Sequence, residues 1–100
     1  MNYASKNYPG PSVDYRDTEQ GEDFLIWDRP GERRLMISRS VGAAFVQGFG
    51  MSAGTMPSVM YERGALNWLR TQGRDCTVTR SFLVVEPQYE VQYDCQPLTQ

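Results

Sequence analysis

The amino-acid sequence predicts an α+β domain. Two antiparallel β-hairpins form one sheet, a single helix packs on one face of it, and a flexible N-terminal tail precedes them. Three observations support this prediction. Apolar and polar residues alternate in the second and the last quarter of the chain, as they do in strands. Between these regions lies one segment with the apolar period of a helix. A cysteine stands at each end of the last alternating region.

Composition limits the classes of protein to which the chain can belong. Its 100 residues are 40% hydrophobic, which suits one small domain. The net charge is −2 and Lys6 is the only lysine, so no nucleic-acid partner is expected. The chain has no histidine, which removes most acid–base, Ser-His and zinc-enzyme chemistry. It also has no apolar run of about 18 residues, so no transmembrane span is predicted.

Residues 1–22 show no helical or strand period and contain few aliphatic side chains. We therefore predict a flexible tether here, followed by a folded domain at residues 23–96. The alternative is an arm that becomes ordered on a partner. Its contact residues would then be the three tyrosines Tyr3, Tyr8 and Tyr15.

The first hairpin is predicted from a short apolar run, a turn at 29–32 and an alternating segment at 33–41. In the turn, Gly31 is expected to adopt the positive φ that closes it. In the alternating segment, Leu35 and Ile37 share one side, which faces the core. The other side of the sheet is polar and is expected to face water. Its predicted residues are Arg34, Ser38, Ser40, Thr77, Thr79, Glu90 and Gln92.

The segment from Gly42 to Pro57 has four glycines and is predicted to be a loop. Two patterns in it match catalytic or binding motifs by spelling. The run GMSAG at 50–54 matches a nucleophile elbow, which needs a histidine base and a large sheet. The glycines at 48, 50 and 54 match a dinucleotide-binding loop, which needs a βαβ unit. Neither context is predicted, so we expect no catalytic residue, no cofactor and no metal site.

The same loop is too apolar to be purely solvated, so it either folds back on the core or contacts a partner. Its candidate partner-binding residues are Phe45, Phe49, Met51 and Met56.

The one strong helical period lies between Ser58 and Gln72, and Gly73 suits its C-terminal end. Gly64 lowers helix propensity by about 1 kcal/mol relative to alanine, so we expect close packing against another backbone there. The apolar face that should cover the sheet consists of Tyr61, Ala65, Trp68 and Leu69.

The second hairpin is predicted between Cys76 and Cys95, with its turn near residues 85–87. The two cysteines fall on the apolar side of their strands and within about two residues of directly opposite positions. This placement predicts a disulfide, which is typical of proteins outside the reducing cytosol. The alternative is two free cysteines in a cytosolic protein.

The stretch from Met60 to Cys95 resembles the C-terminal part of small, uncharacterised envelope lipoproteins of Gram-negative bacteria. In them a helix with Arg, Ala and Leu ends at Gly and leads into a hairpin that closes near Tyr-x-Cys. The matching residues are Arg63, Ala65, Leu66, Gly73, Tyr93 and Cys95. The resemblance implies a periplasmic or outer-membrane-attached domain. No signal-peptide pattern occurs in the chain, so a mature form in the periplasm or outside the cell is expected.

These observations predict a non-enzymatic domain of the cell envelope, acting as an accessory or structural subunit of a larger protein assembly. A homo-oligomer is left open. The alternative is a small-molecule or glycan binding module that uses Tyr and Trp beside the polar sheet face. An enzyme would need paired carboxylates, and we expect the available pairs to be solvated: Asp14 with Asp17, Glu19 with Glu22, and Asp75 with Asp94.

Overall fold

The computed structural model describes residues 3–40, 57–85 and 87–96. Five antiparallel strands form one sheet in the order β1-β2-β3-β5-β4, and the α+β prediction is confirmed. The elements are α1 (Tyr3–Asn7), β1 (Val13–Asp17), β2 (Glu22–Arg29), a 3₁₀ turn (Pro30–Glu32), β3 (Arg34–Arg39), α2 (Ser58–Thr71), β4 (Asp75–Val85) and β5 (Gln88–Gln96).

The main core lies between α2 and one face of the sheet, called here the helix face. Helix α2 contributes the apolar residues expected from its period, which are all buried. Strands β2, β3 and β5 contribute every second residue to this core, and these residues make the helix face apolar. The residues between them point to the opposite face. The core residues are Phe24, Ile26, Leu35, Ile37, Tyr61, Ala65, Trp68, Leu69, Val91 and Tyr93.

The β2–β3 turn differs in one detail from the prediction. Arg33, and not Gly31, adopts the left-handed conformation, with φ 55°. The Arg33 amide donates to the carbonyl oxygen of Pro30 at 3.1 Å. The turn is therefore one residue longer than the sequence pattern indicated, because a 3₁₀ turn precedes the residue that closes it.

The sheet has a fifth strand that the sequence analysis did not predict. Strand β1 pairs with β2 in a register that sets Tyr15 opposite Phe24, and Tyr15 packs against the core. The flexible-tail hypothesis therefore does not describe residues 3–22. The apolar signal was weak because β1 is an edge strand whose other inward side chain is the buried Asp17.

A β-bulge in β4 also corrects the predicted side-chain alternation. The register shifts between Val78 and Arg80 and again between Leu83 and Val85. The first extra residue reverses the faces of the residues that lie between the two shifts. Ser81 consequently faces α2, where its hydroxyl donates to the Glu62 carboxylate. Phe82 lies on the opposite face, although simple alternation had placed it on the helix face with Cys76.

The predicted disulfide is present. Cys76 and Cys95 occupy directly opposite positions on β4 and β5, and both pack against the core at its margin. The bond closes a loop with a sequence separation of 19 residues, which contributes about 3 kcal/mol in the chain-entropy model. Because the packed domain is small, this contribution is a large share of an ordinary net stability.

Gly64 packs against an aromatic ring and not against a backbone as expected. A Cβ at this position would lie 2.7 Å from Cε2 of Phe24, a distance that side chains do not tolerate without movement. The Phe24 ring is itself buried and 6.0 Å from the Tyr61 ring. Glycine therefore lets the middle of α2 approach β2 closely.

We expect Gly64→Ala to destabilise the protein by about 1–3 kcal/mol, because overpacking outweighs the gain in helix propensity. Urea unfolding measures the change. Gly31→Ala is the matched control, since no atom lies within 4 Å of a Cβ there and its φ is not positive. Adding Phe24→Leu to Gly64→Ala should recover part of the loss. A Gly64→Ala variant as stable as wild type would contradict this packing.

Candidate binding surface

The second face of the sheet is covered by residues 3–12, which we call the arm. The arm lies over β5 and β3, crosses β2, and then turns into β1. The alternation of polar residues predicted that this face would be exposed to water. Instead, Glu90 is 0% exposed and Ser38 is 3% exposed. Arg34 and Glu90 bind the arm, so this part of the polar face is covered. Thr77 and Thr79 of the same predicted face are exposed, as expected.

Glu90 and Arg34 form the centre of the contact between arm and sheet. The Glu90 carboxylate accepts a hydrogen bond from the Tyr3 hydroxyl and another, at 2.8 Å, from the side-chain amide of Gln92. Arg34 Nη1 lies 3.4 Å from Glu90 Oε1 and donates to the Tyr3 hydroxyl oxygen at 3.0 Å. The buried carboxylate thus has several donors, as a buried charge requires.

The remainder of the arm is held by side chains of β2 and β3. Arg34 Nη2 donates to Oδ1 of Asn7 at 3.3 Å, and its guanidinium carbon lies 5.3 Å from the centre of the buried Tyr8 ring. Arg29 donates to the Asn7 carbonyl. Trp27 Nε1 donates to the carbonyl of Gly10 at 3.2 Å. These contacts fix the direction in which the arm crosses the sheet.

A partly apolar strip follows β4, which is an edge of the sheet. The Tyr3 ring meets the Phe82 ring edge-on at 6.3 Å, and the Arg80 guanidinium lies 4.9 Å from the centre of the same ring. Leu83 is 48% exposed and Val85 is 51% exposed. Within the described residues, Arg80 forms no ion pair. Phe82 and Val85 point to the second sheet face, whereas Leu83, opposite Tyr89, points to the helix face. These five residues flank both sides of the open edge, and we call them the edge strip: Tyr3, Arg80, Phe82, Leu83 and Val85.

A polar cluster on the helix face joins β2, β5 and the end of α2. Asp28 accepts the Tyr93 hydroxyl at 2.6 Å and Arg74 Nη2 at 2.7 Å. The Arg74 guanidinium also lies 6.0 Å from the Trp68 ring centre. Arg74 Nη1 also donates to the Tyr93 hydroxyl oxygen at 3.3 Å, so these bonds tie β2 and β5 to the segment that follows α2.

The carboxylate pairs considered for catalysis were expected to be solvated, and this expectation is wrong for Asp17. Asp17 is buried and accepts bonds from the Glu19 amide and the Asn67 side chain, which ties the β1–β2 turn to α2. Glu22 pairs with Arg39 at 3.3 Å, and Glu19 pairs with Arg63 at 3.3 Å. Asp94 pairs with Arg33 at 3.0 Å and is exposed. Asp14 and Asp75 are exposed.

The structure places the three tyrosine candidates in different environments. Tyr3 is 40% exposed in the edge strip, Tyr8 is buried under Arg34, and Tyr15 is half-buried in β1. The edge-strip residues of β4 were missed because the bulge that redirects Phe82 has no mark in the sequence. The loop candidates lie outside the described residues, as do the two glycine motifs: Phe45, Phe49, Met51 and Met56.

Comparisons with protein-family models, with curated proteins and with solved structures found no match. In the described part of the chain, no three acidic or cysteine side chains are grouped so that they could hold a metal ion. None of the described helices is long and apolar enough to cross a membrane.

Two buried tyrosines make the fold sensitive to alkaline pH. Burial, together with the Glu90 carboxylate, raises the pKa of Tyr8 well above its ordinary value of 10.0. Burial and the bond to Asp28 raise the pKa of Tyr93 in the same direction. Below pH 10 both states keep the phenols neutral. Above it, the unfolded chain loses protons that the folded chain retains, so stability falls as pH rises.

We expect the free energy of unfolding to fall by about 1.4 kcal/mol per pH unit above pH 10 for each buried tyrosine. Denaturant titrations at constant ionic strength between pH 8 and about pH 11 measure the slope. Tyr8→Phe should make the slope shallower by the contribution of one tyrosine, about 1.4 kcal/mol per pH unit. An unchanged slope in that variant would mean that Tyr8 ionises as readily in the folded state as in the unfolded chain.

Proposed function

We propose that the chain is a non-enzymatic domain of the cell envelope, acting in the periplasm or outside the cell as an accessory or structural subunit. It would act by binding protein partners. The observation that carries the proposal is the edge strip, in which aromatic, aliphatic and cationic side chains flank an open sheet edge and Tyr3, Leu83 and Val85 are exposed. Exposed apolar side chains next to each other mark interaction sites in soluble proteins, and aromatic residues with arginine are typical of interface centres.

The edge itself supports this proposal. Strand β4 has eleven residues, longer than most strands. On its outer side, within the described residues, no other strand pairs with it. Such an edge offers backbone donors and acceptors to an added strand of a partner. An acidic residue of the partner would suit Arg80, and apolar residues would suit Phe82 and Leu83.

The disulfide supports the compartment. Cross-links of this kind persist in oxidising compartments and are rare in the cytosol, and the Cys76–Cys95 bond lies at the margin of the core. The envelope location therefore rests on this bond together with the resemblance of residues 60–95 to envelope lipoproteins.

We expect both cysteines to be oxidised in the cells that make the protein. Rapid acid quenching and alkylation, followed by mass spectrometry, should show no alkylated cysteine unless reductant is added first. The Cys76→Ser/Cys95→Ser variant supplies the mass reference. Two alkylated cysteines without reductant would contradict the envelope location and leave the edge-strip proposal to be judged separately.

A second candidate function is a small-molecule or glycan binding module, favoured by the position of Trp27. Its ring is half-buried beside a shallow groove also lined by Tyr8, Pro9, Pro11 and Arg29. Its Nε1 is already bound to Gly10, which leaves the ring face for stacking against a sugar. Trp68, at 7% exposure, is buried in the core and is not part of this groove.

For the protein-binding function, we expect a photo-crosslinking residue at Leu83 to give an adduct of discrete mass in the native host. Adding Arg80→Glu should reduce the adduct about five- to thirtyfold, the effect of losing 1–2 kcal/mol of binding energy. A crosslinking residue at Val13, 49% exposed on the opposite sheet edge, is the matched control. Equal adducts at both positions, or insensitivity to Arg80→Glu, would exclude the edge strip as the binding site.

A further inference from the structure

The arm is attached to the sheet through side chains. Among the described residues, no backbone–backbone hydrogen bond joins residues 3–12 to any strand. Its contacts are made by side chains, chiefly those of Tyr3 and Asn7 with Arg34 and Glu90. A segment held in this way is a separable unit, because its removal leaves every strand pair of the sheet intact.

The sheet face beneath the arm tolerates being open. Without the arm, Arg34 still pairs with Glu32 at 2.6 Å and with Glu90 at 3.4 Å, and Gln92 still donates to Glu90. A polar face of an antiparallel sheet is stable in water. Opening would uncover Met36, which is 2% exposed, and Tyr8 of the arm, which is 4% exposed. Opening therefore exposes far less apolar surface than separating α2 from the sheet would.

A short hinge lies in the arm itself, close to β1. It consists of Pro9, Gly10 and Pro11, and Gly10 has φ +96° with no atom within 4 Å of a Cβ. The prolines restrict their own φ and push the residues before them toward extended conformations. The hinge residues therefore gain little conformational entropy when the arm leaves the sheet. Short hinges of this type favour exchange of a segment between copies.

We propose that the arm is exchanged between two copies of this chain, so that each arm lies on the second sheet face of the other copy. The second face of each sheet is then covered by the arm of the other copy, which offers Arg34 and Glu90 the same side chains: the phenols of Tyr3 and Tyr8 and the amide of Asn7. Reciprocal exchange closes into a twofold dimer and leaves no site empty. Each edge strip then contains Tyr3 of one copy and Phe82 of the other.

The position of Lys6 allows a direct test. It is the only lysine and lies exposed on the arm, so an amine-reactive photo-crosslinker attaches there without disturbing the disulfide. Labelled ¹⁵N protein and unlabelled protein are mixed, incubated to equilibrium over a range of concentrations, irradiated and digested with trypsin. We expect crosslinks between the arm of one isotope and the peptide beginning at Ser81 of the other. Their share should rise with concentration, together with the dimer mass.

Two variants make the test specific. Lys6→Arg reports the background from the chain's terminal amine. Inserting Gly-Ser-Gly-Ser between Gly10 and Pro11 lengthens the hinge, so the arm closes on its own sheet more easily and mixed-isotope crosslinks should fall several-fold.

A monomer at every concentration, with crosslinks only within one isotope, would overturn the exchange. Dimers without mixed-isotope crosslinks from Lys6 would overturn it too, since they would show association through another surface. Leu83→Ser separates the two proposals: it should remove edge-strip binding and leave mixed-isotope crosslinks unchanged. If that variant abolished the crosslinks while remaining folded, the exchange model would be wrong.

Discussion

The covering of the second sheet face depends on one buried carboxylate. Glu90 stands in β5, between β3 and β4, and is 0% exposed. An ionised carboxylate in such a place needs donors on every side. Arg34 and Gln92 supply them from within the sheet, and Tyr3 supplies one from above. The arm therefore supplies the last hydrogen-bond donor to a carboxylate that the sheet holds in place.

The two sheet faces consequently differ in the interactions that hold the element packed on them, which is α2 on one face and the arm on the other. On the helix face, α2 is fitted by shape: Gly64 admits the Phe24 ring so closely that one added carbon would collide. Such packing permits a single arrangement. On the second face, the arm is held by hydrogen bonds and by the Arg34 guanidinium over the Tyr8 ring. Each of these bonds has only a modest net effect on stability in water, so the arm is expected to open before α2 does.

Sequence patterns predicted the parts of the fold that depend on apolar periodicity. The helix and both hairpins follow from it, and so does the disulfide, because Cys76 and Cys95 share the parity of the core residues. Strand β1 could not be predicted, since its inward positions hold Tyr15 and Asp17 and not a run of aliphatic residues. The arm was hidden for a related reason. A polar strand face has the same sequence pattern whether water or a tyrosine-bearing segment covers it.

The candidate surface was predicted only in part. Tyr3 was selected as a contact residue from its place in an aliphatic-poor segment, but its neighbours on β4 depend on the bulge near Val78. Without that extra residue Phe82 would point toward α2, and Tyr3 would have no ring to meet. A bulge arises from competition between two registers of one hairpin. The disulfide fixes the register at one end, and the turn after Val85 fixes it at the other, so the two extra residues of β4 are absorbed between them.

The same bulge bears on why we propose binding at the β4 edge of the sheet and not at the β1 edge. Strand β1 has five residues and continues directly into the arm, so a partner strand there would meet little backbone. Strand β4 is longer and is fixed to β5 by Cys76. A rigid edge loses little conformational entropy when a partner binds. The bulge, in turn, interrupts the regular edge near Arg80, which discourages indiscriminate strand pairing. The open edge is thus held rigid by the disulfide and limited in length by the bulge, and both features favour a specific partner over aggregation.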